Sequence, residues 1–160
     1  MNKTQIAAWL RSTGARTLAA FSWPARTLAR SYGPGKWTAR QLLGHLTDCE
    51  LVFLYRAQLM LSEKEPAVFP FEQDDWAKRM NYVKQDLKKM KQRFLALREA
   101  LIDLTKTCSP ADLARKANRP DNPNYTVGWL VEHAAEHNEH HLEQLAAIKK
   151  GAAWTTPPVL

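Results

Sequence analysis

Trp76, Met80, Val83, Leu87, Met90, Phe94, Leu97 and Leu101 follow one another at an unbroken 4-3-4-3-4-3-4 spacing. Apolar residues repeating at about 3.5 positions form a seam along one face of a helix, and that seam has to be buried against other helices. It predicts one continuous helix over 76–101 and directs the chain toward a helical bundle. The rest of the sequence agrees. Residues 3–21 carry Ile6, Trp9, Leu10, Leu18 and Phe21 at helical spacing, with a weak point at Gly14. Ser22-Trp23-Pro24 breaks that helix, a short one fits 24–30, and Tyr32-Gly33-Pro34-Gly35 reads as a loop. Thr38 and Gln41 make a capping box that opens a helix to about residue 61, with its stripe at Leu42, Leu46, Cys49, Phe53, Ala57 and Met60.

Residues 63–73 and 117–125 are proline-containing loops, longer than minimal turns and suited to walling one end of a bundle. Ser109 followed by Pro110 starts a short extra helix near 109–116. Thr126 caps the last long helix, which ends near Gly151. No run reads as a strand. The fold class is therefore all-α, a four-helix bundle, with a single domain over 1–151 and a C-terminal tail over 152–160 that is expected to be mobile from Thr155 onward.

A chain of 160 residues suits one domain with a real core. Cys49 and Cys108 make no disulfide framework, no apolar run approaches a membrane span, and the start lacks the apolar centre of a secretory signal. A cytoplasmic protein with no membrane partner is expected. The formal net charge of +7 lies wholly before Asp48, the first acidic residue, on Lys3, Arg11, Arg16, Arg26, Arg30, Lys36 and Arg40. The cations are dispersed and no nucleic-acid motif accompanies them, so they read as a solvated basic face that helps attract an anionic substrate. No nucleic-acid partner is expected.

Four of the five histidines fall in the last helix, at His133, His137, His140 and His141, and the fifth is His45. On a helical wheel His137 and His141 occupy the apolar stripe of Val127, Leu130, Val131, Ala134, Leu142, Leu145 and Ile148. Two imidazoles one turn apart in a core face need partners, and one shared metal ion satisfies both. The wheel leaves that pair open between a metal site and two hydrogen-bonded core histidines. His45 alone reads as a core residue at the edge of its stripe. His133, His140 and Gln144 lie along one edge, and His133, His140 and Glu136 are the edge candidates for a general base, with none clearly marked as catalytic. Asn138 follows His137, so the zinc-protease HExxH motif is absent. Cys49 fits a buried structural thiol better than a fourth ligand, Asp48 and Glu50 are candidates to orient His45, and Trp37 and Trp76 to line a pocket.

Three segments resemble the DinB-like superfamily in order and spacing. The run from Gly35 to Glu50 is similar to its GxWTxxExLxHLxDxE opening, with Gln41 where the family often has Glu. Phe71-Glu72-Gln73-Asp74-Asp75-Trp76-Ala77 resembles its FDQDxWA segment, and His137 to Leu145 its closing HxxHHxxQI motif. The resemblance implies an up-up-down-down four-helix bundle, often homodimeric. It implies one divalent metal ion, with Zn, Ni or Fe most suited, held by His45, His137 and His141. It further implies an enzyme acting on a small molecule, first a thiol-dependent S-transferase with a low-molecular-weight thiol as co-substrate. The alternatives are a metal-dependent hydrolase or a metal-stabilised small-molecule-binding or stress protein without catalysis.

Overall fold

The computed structural model describes residues 1–155, so the expectation of mobility at 156–160 lies outside the described residues. Among the described residues seven helices follow in order: α1 (Lys3–Ala20), α2 (Ala25–Leu28), α3 (Ala39–Ser62), α4 (Gln73–Met80), α5 (Leu87–Thr107), α6 (Pro110–Leu113) and α7 (Val127–Lys150). Among the described residues the extended pairings are isolated bridges, such as Lys116 with Thr126, and no helix is long and apolar enough to cross a membrane. The all-α bundle expected from the seam is what forms.

Capping chemistry sets the ends. Thr38 and Gln41 close their box at α3, Ser109 and Asp112 close one at α6, and the Thr126 side chain accepts from the Trp129 amide at α7. Gly151 ends α7 at φ 76°, a left-handed conformation in which glycine carries no Cβ penalty. Asn2 also closes a box with Gln5, which keeps α1 helical from Lys3.

The expected continuous helix over 76–101 does not form. Asn81 takes a left-handed conformation at φ 48° and stops α4, and the Asp86 side chain accepts from the Lys89 amide to start α5. Asparagine tolerates that conformation and aspartate is a favoured N-cap, so two local signals override the heptad. Met80 and Val83 are left 50% and 53% exposed, whereas Met90, Phe94 and Leu101 keep the seam buried. Tyr82 turns inward instead. Its ring lies so close to α3 that a Cβ on Gly44 would meet its Cγ at 2.3 Å, and its hydroxyl donates to Asp48 at 2.7 Å. Gly44→Ala is therefore expected to cost about 1–3 kcal/mol through overpacking. Urea unfolding reads this as a lowered midpoint, and an unchanged midpoint would mean that the Tyr82 ring yields freely.

Helix directions follow from cross-helix contacts. Lys3 reaches the Cys108 carbonyl while Lys91 reaches Ser22, so α1 and α5 are antiparallel. Arg40 reaches the Gln85 carbonyl and Arg98 reaches Glu50, so α3 and α5 are parallel. His45 meets His141 and Phe53 meets His133, so α3 and α7 are antiparallel. The order of α1, α3, α5 and α7 is thus up-down-down-up, which corrects the up-up-down-down order that the resemblance implied. A parallel α3–α5 pair needs a connection that returns along the bundle, and residues 63–86, with α4 among them, provide it. Both α1 and α3 pack against α5 and α7.

Two apolar clusters fill the bundle. One gathers Leu10, Phe53, Leu101 and Val131, the other Phe21, Leu46, Phe94 and Leu145. Between them runs a polar belt. Arg98, 2% exposed, pairs with Glu50 through Nε at 2.8 Å and through Nη2. Its Nη1 donates to the Leu10 carbonyl at 3.0 Å and to Thr13 Oγ1 at 3.1 Å. Asn138 joins with its amide oriented so that nitrogen donates to Thr17 Oγ1 at 2.9 Å and oxygen accepts from Arg98 at 3.3 Å.

Candidate metal centre

His45, His137 and His141 meet at the level of this belt, where α3 and α7 cross. The ring nitrogens they offer all lie within 4.8 Å of one another. His137 Nε2 is 3.3 Å from His45 Nε2 and 3.2 Å from His141 Nε2. Three nitrogens at about 2.0–2.1 Å from one ion, with angles between octahedral and tetrahedral, lie about 2.8–3.4 Å apart. The two spacings to His137 fall in that interval, and His45 and His141 lie within 4.8 Å of each other.

The donor chemistry fits a cation. The Gln144 carbonyl oxygen accepts from His141 Nδ1 at 2.8 Å, which leaves His141 Nε2 as a bare lone pair. Gln144 is itself held by its amide donating to His140 Nε2 at 3.3 Å. His137 Nδ1 is buried and has no hydrogen-bond partner among the described residues. Two rings can share a proton, but three cannot satisfy one another around one point, and a central cation can. Burial, and then the neighbouring His141, pushes His45 down to about 3. Burial holds His141 down at about 4 against the Gln144 hydrogen bond, and burial with four surrounding imidazoles holds His137 well below the usual histidine value. All three rings are therefore neutral near pH 7, the form that ligates.

The centre opens to a cavity of about 180 Å³ lined by residues of α3, of α7 and of both proline-containing loops. His45, Cys49, Phe53 and Arg56 come from α3, and Trp129, His133 and His137 from α7. Pro70, Phe71, Arg119 and Tyr125 come from the loop segments expected to wall one end of the bundle. On the other side, His141 and Gln144 face a second recess with Trp37, Tyr32 and Asp74.

The remaining candidates separate. Trp37 packs against His45 with ring centroids 4.9 Å apart, while Trp76 packs on Phe71 at 4.7 Å and makes no ring contact with the histidines. Cys49 Sγ lies 3.5 Å from His45 Nε2, and burial pushes its thiol well up, so it stays protonated. Asp48 and Glu50 do not reach His45: Asp48 accepts from Tyr82 and Glu50 is taken by Arg98. Asp48 turns to Tyr82 in the segment before α5 and Glu50 to Arg98 within α5, which is why neither orients the imidazole. His133 stacks on Trp129 at 4.5 Å and lines the cavity, with exposed Glu136 beside its Nδ1 at 3.5 Å. His140 packs edge-on against Trp154 at 4.9 Å on the opposite side.

Sequence reasoning missed Arg56, Tyr125 and Trp154. Arg56 sits eleven residues after His45, which is three helical turns and the same face of α3, so its spacing was the available signal. Nothing local in the sequence points Tyr125 or Trp154 toward the site.

The comparisons follow the same line. The DinB superfamily profile matches residues 9–145. A protein of Oceanobacillus iheyensis named as a candidate metal-dependent hydrolase is 28% identical over 130 residues, covering 79% of this chain and 73% of its own length. A second of the same description, from Halalkalibacterium halodurans, is 29% identical over 118 residues, 74% of this chain and 68% of its own. Among solved structures, YfiT from Bacillus subtilis superposes with a TM-score of 0.84 at 22% identity, over 94% of this chain and 89% of that one. It is described as a probable metal-dependent hydrolase with an unusual four-helix bundle topology, and the likeness shows the fold. With its profile matched over nearly the whole bundle, the chain belongs to the DinB superfamily.

Proposed function

We propose that this chain is a metal-dependent hydrolase of a small molecule, with His45, His137 and His141 as the ligands of one divalent ion. The observation that carries the reading is the convergence of three neutral imidazoles, with His137 Nε2 3.3 and 3.2 Å from His45 and His141, beside a cavity that His45 and His137 line. When bound, such an ion acidifies water and polarises a carbonyl or phosphoryl oxygen. Three imidazoles suit Zn, Ni or Fe. Gln144 fixes the His141 tautomer, and Phe53, Phe71 and Trp129 give the cavity aromatic walls. His133 lines the cavity outside the trio and is placed to hold a proton at its ring during turnover. The relatives named as hydrolases favour this reading over the thiol transfer that the sequence resemblance put first.

The test is a substrate screen on protein reconstituted with one equivalent of metal. Hydrolysis of small esters or amides that stops in His141→Ala is expected. Consumption of glutathione or bacillithiol with an electrophile, without any hydrolysis, would overturn hydrolysis in favour of thiol transfer.

The histidine environments also set a pH dependence. Protons compete with the metal for the same lone pairs, and with His45 at about 3 and His141 at about 4 they enter the free site only in acid. Zinc affinity is expected to stay nearly flat from about pH 8 down to about pH 5. Competition titration with a chromophoric chelator measures it. An affinity that falls from about pH 6.5 downward, by up to about tenfold per unit for each ring, would indicate exposed histidines.

A further inference from the structure

We propose that the cavity beside the three histidines takes a small molecule bearing an oxyanion, a carboxylate or a phosphate, and that Arg56 recognises that group. The inference deepens the hydrolase reading by giving the substrate its charge, but anion binding can be measured with no metal present.

Arg56 is 8% exposed and lines the cavity. Its Nη1 donates to the Tyr125 hydroxyl at 3.3 Å and its Nη2 to the Phe69 carbonyl. Both acceptors are neutral, and among the described residues Arg56 forms no ion pair. A guanidinium carries five donors, so these two bonds leave it short of partners as well as of charge. Burying an unpaired charge is costly, and the cost is offset when a counter-charge arrives.

The same chain shows what a structural guanidinium looks like. Arg98, more deeply buried still, is paired with Glu50 on two nitrogens and bonded to Leu10 and Thr13 on the third. Arg119, which shares the cavity wall, is neutralised by Asp121 at 2.9 and 3.0 Å. Arg56 alone among these three has no carboxylate within ion-pair distance: Asp121 feels its charge but is taken by Arg119, and among the described residues no carboxylate lines the cavity. The planar fork matches carboxylate and phosphate oxygens with two parallel bonds. The Tyr125 hydroxyl, having accepted from Arg56, keeps its own proton to donate to the same group. A cavity of about 180 Å³ with aromatic walls holds roughly one ring, since engineered apolar cavities of about 150 Å³ bind benzene.

The experiment titrates benzoate, phenyl phosphate and the neutral isostere benzamide into the full-length protein by calorimetry, both chelator-stripped and loaded with zinc. At least one anion is expected to bind about 10- to 100-fold tighter than benzamide, the range that a charge-assisted bond supplies. Which anion binds tighter distinguishes carboxylate from phosphate. Arg56→Gln is expected to erase the preference while zinc stoichiometry stays that of the wild type. If circular dichroism shows that variant unfolded, Arg56→Lys, which keeps the charge without the fork, is expected to bind the anion more weakly than wild type and still prefer it to benzamide. No binding of either anion by stripped wild-type protein at millimolar concentration would overturn the proposal. So would equal binding of benzamide, or a preference that survives Arg56→Gln. Zinc uptake without anion preference removes this inference and leaves the metal centre standing. Anion preference without zinc uptake does the reverse.

Discussion

His141→Ala is expected to lower zinc affinity by at least about 100-fold and to leave the helical content of the protein intact. Loss of an orienting partner alone typically costs about 10- to 100-fold, and loss of a ligand costs more. His141 is the most fully specified of the three, since Gln144 fixes its tautomer at 2.8 Å and its Nε2 faces His137 at 3.2 Å. The fold does not depend on it in the same way. The two apolar clusters on either side of the polar belt hold α7 through Val127, Leu130 and Val131 at one end and Leu145 and Ile148 at the other. Equilibrium dialysis with metal analysis, beside far-ultraviolet circular dichroism, separates the two effects. Wild-type metal stoichiometry in the variant would remove His141 from the ligand set.

Arg98→Met carries the largest expected effect on stability, about 3–5 kcal/mol, because it leaves a buried carboxylate without its partner. Glu50 is 1% exposed, and burial already raises its carboxyl above the usual range while Arg98 opposes that rise. Without Arg98 the carboxyl rises further. A group whose folded value lies above its unfolded value gives stability that is present at low pH and lost as pH rises through the folded value. The deficit of Arg98→Met should therefore be larger at pH 8 than at pH 5 in urea unfolding. Adding Glu50→Gln should recover part of it, since removing both charges removes the unpaired one. A deficit that is small, or that grows toward acid, would mean that the pair does not organise the belt.

Regular features were legible in the sequence because they are local. Thr38 with Gln41, Ser109 with Pro110, and Thr126 mark helix starts within four residues, and the structure keeps them. The heptad was real over Met90, Phe94 and Leu101 but misleading before them. Asn81 and Asp86 carry the stop and start signals, and a periodicity count gives them no weight. The direction of the helices was not legible, because nothing local tells whether residues 63–86 turn back at once or travel the length of the bundle.

At the site, the stripe position of His137 and His141 was readable, and His45 entered through the motif resemblance. Asp48 and Glu50 looked equivalent beside His45 in the sequence, yet their partners, Tyr82 and Arg98, come from distant stretches of chain. Arg56 was passed over for the same reason: a cation on a helix face is ordinary until the neighbouring loop is seen to commit its carboxylate, Asp121, to Arg119.

X-ray absorption at the zinc edge, on protein reconstituted with one equivalent and purified without a histidine tag, reports directly on the three-histidine centre. Three imidazole nitrogens at about 2.0–2.1 Å are expected, with the remaining coordination supplied by oxygen. A sulfur shell at about 2.3 Å, or zinc that fails to stay bound at one equivalent, would contradict a centre built from His45, His137 and His141.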